Sequence, residues 1–166
     1  MSISNLLVPN HYNLFANSIT LPAEANHEFY VFPALAQVIA DLTPSNLTYV
    51  NAVPAKPYNL GGGAVNAATG IWTCPQAGVY LFCLSATWGN VVGTTIANTG
   101  FIKIQTSTYD IAYTQATFST VDSTAQACSG IIRLPAGETV LCTVQQDSGA
   151  PLGCTATYFS GIKLTA

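Results

Sequence analysis

The side chains that could carry out acid–base or nucleophilic chemistry are few in this sequence and widely separated. The two histidines are His11 and His27, and neither lies beside a Ser or Cys in a nucleophile motif such as G-x-S-x-G. The acids show no paired spacing of the kind used for general acid–base catalysis. They are Glu24, Glu28, Asp41, Asp110, Asp122, Glu138 and Asp147. We therefore interpret both histidines as surface or packing residues and predict a protein that is not an enzyme.

Metal binding is the next chemistry to consider, and the signal for it is weak. Asp110, Asp122 and Asp147 fall in predicted loops or at strand ends, where carboxylate and carbonyl oxygens could gather around calcium. The sequence contains no D-x-D-x-D-G loop, so we expect these acids to be solvated. We predict no metal site and no cofactor, with calcium as the alternative.

Aromatic residues near predicted loops could stack on a sugar ring. They are Trp88, Tyr109 and Tyr113, and for Trp88 packing in the core is the stronger expectation. The loop GNVVGTTIANTG (89–100) is nearly uncharged and is a further candidate contact surface. A receptor or a glycan is thus a candidate partner, but the sequence identifies neither.

The cysteines show no pattern that would bind a metal or form a redox pair. They are Cys74, Cys83, Cys128, Cys142 and Cys154. Their number is odd, there is no CxxC or Cys-His spacing, and all but Cys154 lie in strand-like apolar runs. We interpret them as buried free thiols, in agreement with synthesis in a reducing cytosol.

The composition indicates a β-rich chain that buries much of its surface by assembly. Among 166 residues only 7% are charged, against a usual share of about 25%. The four cations, Lys56, Lys103, Arg133 and Lys163, are scattered, so no basic footprint for nucleic acid exists. No run of about 18 apolar residues predicts a membrane span. The N-terminus also lacks the basic and apolar regions of a signal peptide.

The first 26 residues differ from the rest of the chain. Short apolar runs are broken by Pro9 and Pro22, and no strong period is present. We predict that residues 1–26 form an arm or anchor segment and that residues 27–166 form one domain. The apolar residues expected to anchor the arm are Leu6, Leu7, Val8, Tyr12 and Phe15.

The domain is predicted to consist of short strands separated by turns. A segment at 33–42 has apolar residues at helical spacing between prolines, and it is interpreted as a short helix. Three glycines place residues 57–70 in a loop, and residues 135–137 form a tight turn. Strands are predicted at 28–32, 47–53, 71–74, 79–88, 101–106, 111–118, 125–134, 138–145 and 155–164. Turn signals every 8–12 residues favour a sandwich or a jelly roll.

The strand at 79–88 is unusual because both of its faces are apolar. One face carries Tyr80, Phe82 and Leu84, and the other carries Leu81 and Cys83. An antiparallel strand over a single core normally alternates apolar and polar residues. The second face must therefore be covered, either by other copies of the chain or, within one chain, by the arm or a helix.

Three sequence patches together resemble the globular head of the complement C1q and tumour necrosis factor superfamily. They are GIWTCP with AGVYLF (residues 70–82), SGIIRL with AGETV (129–140) and the closing YFSGIKL (158–164). The resemblance covers roughly residues 28–166. Trp72 stands where the family usually has Phe, and Glu138 where it has Asp. The chain has no collagen repeat.

The resemblance implies an all-β, antiparallel ten-strand jelly-roll sandwich that assembles as a homotrimer. By the family's strand arrangement, the residues expected at the trimer interface are Leu81, Cys83, Ile131, Tyr158, Ile162 and Leu164. The residues expected in the sandwich core are Trp72, Tyr80, Phe82, Leu84, Leu134 and Phe159.

The arm suggests where such a trimer is used. NLLVPNHYNLF (residues 5–15) resembles leaders of C1q-like proteins of large DNA viruses and phages. We expect a virion component, assembled in the host cytoplasm, whose arm binds capsid or fibre proteins. The alternative is a secreted ligand that binds a receptor or a carbohydrate.

Overall fold

The fold is described from a computed structural model of the chain. The described residues are 28–31, 37–49, 65–66, 68–89, 98–118 and 122–165. Several earlier predictions lie outside them, namely those for the anchor residues, for both histidines and for most of the loops at 57–70 and 89–100.

The described part of the chain contains ten strands. They are β1 (Glu28–Val31), β2 (Gln37–Ile39), β3 (Ser45–Asn46), β4 (Trp72–Thr73), β5 (Gly78–Trp88), β6 (Thr99–Gln105), β7 (Asp110–Thr117), β8 (Thr124–Leu134), β9 (Thr139–Gln146) and β10 (Leu152–Thr165). No helix in this part is long and apolar enough to cross a membrane.

The strands make two antiparallel sheets that pack face to face. Sheet I has the order β1, β10, β5, β8, and β2 also pairs with β10. Sheet II has the order β3, β9, β6, β7, and β4 also pairs with β9. Chain neighbours such as β5 and β6 lie in different sheets. This arrangement confirms the predicted all-β jelly-roll sandwich.

The core between the sheets is built around aromatic rings. The inward side chains of β5, among them Tyr80 and Phe82, are completely buried. The rings of Trp72 and Phe82 meet edge to face at 5.3 Å, and those of Phe82 and Phe159 stack at 5.9 Å. Phe29 on β1 completes the cluster, 4.9 Å from Phe159. Such pairs add about 0.5–1.5 kcal/mol each beyond the area that they bury.

The two sheets approach most closely at one edge of the sandwich, where β8 passes β7. A Cβ added at Gly130 would lie 2.7 Å from the Ile111 carbonyl oxygen and 3.2 Å from Ala112 Cβ. The edge strands of both sheets therefore lie against each other, which requires a residue without a side chain at this point of β8.

Two local predictions were wrong. Residues 37–39 of the predicted helix form β2, because Ile39 is buried opposite Leu152 of β10. In the predicted strand 47–53, the described residues 47–49 lie outside the strands, and β3 precedes them. Leu47 nevertheless donates a backbone hydrogen bond of 2.9 Å to Cys142, so this segment follows β9.

Candidate functional site

The most apolar exposed surface of the described chain is the side of sheet I that points away from the core, here called the outer face of sheet I. Its central strand alternates strictly, with even-numbered residues buried and odd-numbered residues half-buried. The described side chains of this face are Val38, Val79, Leu81, Cys83, Ser85, Thr87, Ala125, Ala127, Ser129, Ile131, Arg133, Tyr158, Ser160, Ile162 and Leu164.

Strand register orders this face into rows. Ile162, Leu81 and Ile131 are directly opposite one another across β10, β5 and β8. The next row along these strands is Ser160, Cys83 and Ser129. The fraction of side chain left exposed is 63% for Ile131 and 45% for Leu164. These are high values for branched aliphatic residues on a sheet, and no described element covers them.

All six residues expected at the trimer interface lie on this outer face. The helix proposed as an alternative cover is absent among residues 37–39, which themselves belong to sheet I. Val38 extends the face and is 73% exposed, but it is not among the residues predicted from the sequence, because helical spacing concealed its place on a strand. Val79, half-buried beside Leu81, was missed as well, although its odd number on β5 was an available signal.

The six residues expected in the sandwich core are all buried, and each has 1% or less of its surface exposed. They belong to one cluster together with residues that the sequence analysis did not assign there. Phe29 is one of these, and its ring is stacked on Trp72 at a centroid distance of 5.3 Å.

All five cysteines are free thiols, three of them buried. Burial raises the pKa of the Cys154 thiol to about 12 and that of Cys128 to about 11. Burial also raises the pKa of Cys142 well above its ordinary value. A thiol must lose its proton to act as a nucleophile, so burial disfavours reaction of these three near neutral pH. Cys154 lies on β10, just before the predicted start of that strand at residue 155.

A buried polar cluster closes one end of the sandwich. The backbone carbonyl of Gln76 accepts hydrogen bonds from the Tyr80 hydroxyl at 2.6 Å and from the Cys74 thiol at 3.1 Å. The side-chain oxygen of Gln76 accepts one from Lys163 Nζ at 2.5 Å. Lys163, only 5% exposed, is thus held by an amide beneath the turn before β5.

The acids proposed as calcium ligands are engaged separately. Asp110 forms a salt bridge with Lys103 at 3.1 Å, and Asp147 accepts hydrogen bonds from the amide and the hydroxyl of Thr99. Asp122 also has an interaction partner. Among the described residues no three His, Cys, Asp or Glu side chains come together as a possible metal site.

Of the three candidate aromatic residues, only the two tyrosines are accessible. Trp88 is completely buried, and its indole nitrogen donates to Gln126 Oε1 at 2.5 Å. Gln126 in turn donates to the Gly100 carbonyl at 2.9 Å. Tyr109 and Tyr113 are 48% and 69% exposed.

Tyr113 belongs to the outer face of sheet II. On this face Lys103 of β6 lies between Tyr113 and Thr143, and Phe101 lies between Gln115 and Gln145. The described side chains of this face are Asn46, Thr73, Thr99, Phe101, Lys103, Gln105, Tyr113, Gln115, Thr117, Thr139, Leu141, Thr143 and Gln145. The face is mainly polar, in contrast to the outer face of sheet I.

The two sheets, their strand order and the apolar outer face of sheet I define a jelly-roll sandwich domain. The profile of the C1q domain family matches residues 54–164, so the chain belongs to the C1q domain family. This agrees with the resemblance found in the sequence. Among curated proteins, no relative matches the chain significantly.

Solved structures share this fold at low sequence identity. Murine APRIL at pH 5.0 has a TM-score of 0.56 and 11% identity, covering 82% of this chain and 98% of that one. Eiger TNF from S. frugiperda has a TM-score of 0.55 and 11% identity, covering 83% and 92%. The globular domain of zebrafish complement 1qA has a TM-score of 0.50 and 15% identity, covering 82% and 96%. At these identities the likeness concerns the fold alone.

Proposed function

We propose that this protein is a non-enzymatic recognition module that works as a homotrimer, with the outer face of sheet I buried between subunits. The observation that carries the proposal is the exposure of aliphatic side chains along β5, β8 and β10, above all Ile131 and Leu164. Membership of the C1q domain family, together with a fold shared with tumour necrosis factor structures, supports a trimer of the kind the family forms.

The energetics favour such an assembly. Fully burying one large apolar side chain contributes about 1.5–3 kcal/mol. Five residues of this face, each half-buried or exposed, would gain part of that amount in every subunit. They are Val79, Leu81, Ile131, Ile162 and Leu164. Arg133 is the one charged side chain among those of the defined face, so association would desolvate few charges.

The trimer is tested by measuring the native mass with light scattering, for the wild type and for Ile131→Asp. The wild type is expected at three times the chain mass of 17.4 kDa. Ile131→Asp is expected to dissociate, because an unpaired carboxylate buried at an interface costs several kcal/mol. The matched control is Tyr113→Asp, which puts the same charge at a similarly exposed site on sheet II and should stay trimeric. A monomeric wild type, or equal behaviour of the two variants, would contradict the proposal.

Cys83 provides an independent measurement, because it lies in the middle of the proposed interface between Ser160 and Ser129. We expect a maleimide to react slowly at Cys83 in the wild type and faster in the Ile131→Asp monomer. Cys83→Ser identifies the reacting thiol, since Cys128 is also only half-buried. Equally fast reaction in both proteins would count against burial of this face.

We further propose that the trimer is a virion component, and that residues 1–26 attach it to capsid or fibre proteins. The support is the change of sequence pattern near Asn26 and the viral resemblance of residues 5–15. A chain of residues 27–166 should remain a folded trimer but should no longer join its particle. Unchanged incorporation would reject the anchor.

The second candidate is a secreted ligand that binds a receptor or a carbohydrate, and membership of the C1q domain family supports it. The location of the protein separates the two candidates. A virion component is found in purified particles, whereas a secreted ligand is found free in the medium.

A further inference from the structure

If sheet I is buried between subunits, the outer face of sheet II is the large sheet surface that each subunit still presents to its surroundings. It carries Tyr113 on its edge strand β7, and the Tyr113 side chain is 69% exposed. Tyr113 lies within strand β7 rather than in a loop, and it pairs with Lys103 of β6. The backbone of Tyr113 is therefore held in a regular strand ladder.

The charges of this face neutralise each other. The Lys103 ammonium forms a salt bridge of 3.1 Å with Asp110. Of the other cations with a described position, Arg133 lies on sheet I and Lys163 is buried at the end of the sandwich. A phosphate or an acidic polysaccharide would thus meet no uncompensated described cation here, and binding of such polyanions depends on clustered cations.

The uncharged polar groups around Tyr113 are amides and hydroxyls. Gln115 is exposed on the same strand, two residues along, and faces Phe101, which is followed by Gln145 in the same row. Phe101 is half-buried and adds a second aromatic ring to the face. Each amide offers both donors and an acceptor. Thr99 and Thr117 are directly paired at one end of the face.

We propose that the outer face of sheet II binds neutral carbohydrate, with a sugar ring stacked on Tyr113 and with Gln115 contacting its hydroxyl groups. A sugar ring presents an apolar C–H face, which suits the negative face of an aromatic ring, surrounded by hydroxyls that both donate and accept. This inference rests on the proposed trimer only in that sheet II is left exposed. It deepens that proposal by assigning the partner class and the site.

Three copies of the site in one trimer would bind a surface more tightly than one copy alone. Linked sites that bind one surface simultaneously have an avidity well above the affinity of a single site. A polysaccharide surface with many repeats is therefore the appropriate probe, and a free monosaccharide is expected to bind weakly.

The experiment measures binding of the full-length protein to surfaces coated with mannan, with β-glucan and with galactan, and to heparin as a charged probe. We expect binding to at least one neutral polysaccharide. Tyr113→Ala should weaken it by about tenfold or more, because the stacking ring is lost. Tyr113→Phe should retain binding. The control is Leu42→Ala, which shortens a side chain of similar exposure, 65%, in the connection between β2 and β3, outside both outer faces, and should bind like the wild type.

The outcomes separate this inference from the proposed assembly. A trimer that binds none of the three neutral polysaccharides, binds heparin more tightly, or binds equally well after Tyr113→Ala overturns the carbohydrate site. Binding of a protein partner that depends on Tyr113, without binding of any polysaccharide, also overturns the carbohydrate site. A monomer that binds in a Tyr113-dependent manner leaves the site in place and rejects the trimer.

Discussion

Gly161 is the point where the aromatic core touches the backbone of β10. It pairs with Phe82 on one side and with Phe29 on the other. A Cβ added there would lie 2.8 Å from Phe29 Cζ and 2.9 Å from Phe82 Cδ1, and closer still to Phe29 Cε1. The rings cannot move freely, because Phe29 also contacts Trp72 and Phe159.

We predict that Gly161→Ala destabilises the protein although the change adds only one methyl group. Overpacking a dense core typically costs about 1–3 kcal/mol. The lower entropy of the unfolded Ala chain offsets about 0.4–1 kcal/mol of that. The matched control is Gly153→Ala on the same strand, where an added Cβ has no neighbour within 4 Å. This control should be neutral or stabilising. The entropy gain is common to both variants, so they should differ by the overpacking cost of about 1–3 kcal/mol.

The assay is equilibrium unfolding in urea, with all variants at one protein concentration because the stability of an oligomer depends on it. Phe29→Leu combined with Gly161→Ala should recover part of the loss relative to the two single changes, since the smaller side chain makes room. Equal stability of the two Gly→Ala variants would refute the close contact at Gly161. A double variant that shows no coupling would refute the role assigned to Phe29.

Three other predictions concern buried polar groups and thiols. Gln126→Leu should lower the free energy of unfolding by about 1–3 kcal/mol, because it removes the hydrogen-bond partner of the buried Trp88 indole; urea unfolding with no change would contradict this. Asp147→Ala should lower the free energy of unfolding by about 1–2 kcal/mol, since Thr99 loses two hydrogen bonds to a carboxylate. Thermal unfolding measures this loss, and an unchanged midpoint would contradict it. Stability should fall as pH rises from about 9 toward 12, because burial raises the thiol pKa of Cys128 and Cys154, so the unfolded chain loses these protons first. Below pH 9 the folded and unfolded states both keep these protons, so the thiols contribute no pH dependence to stability. In unfolding curves measured over a pH series, Cys154→Ala should reduce the loss of stability at alkaline pH.

The sequence was sufficient for the features that repeat along a strand. The two apolar faces of residues 79–88 predicted that both sides of this strand are covered, and the structure shows its even-numbered side buried in the core. The resemblance then indicated which side of the strand faces the core. The predicted interface residues lie together on one face, although their burial by other subunits remains a prediction.

Features that depend on a distant partner could not be predicted in this way. Ile39 lies in a segment whose apolar spacing suits a helix, and its burial against Leu152 outweighs that local preference. β10 begins at Leu152, whereas the strand predicted from the sequence began at residue 155. Gln126 is a polar residue on the inner face of β8, and only the position of Trp88 explains it.

The close packing of β7 against β8 at Gly130 has a consequence for solubility. A chain with so few charges has little electrostatic repulsion to keep copies apart, and an open strand edge would offer unpaired amides and carbonyls as a template for cross-β growth. At Gly130 the two edge strands lie against each other, and a side chain there would force them apart. We therefore expect the bare backbone of this one residue to limit cross-β growth at this edge of an almost uncharged β-protein.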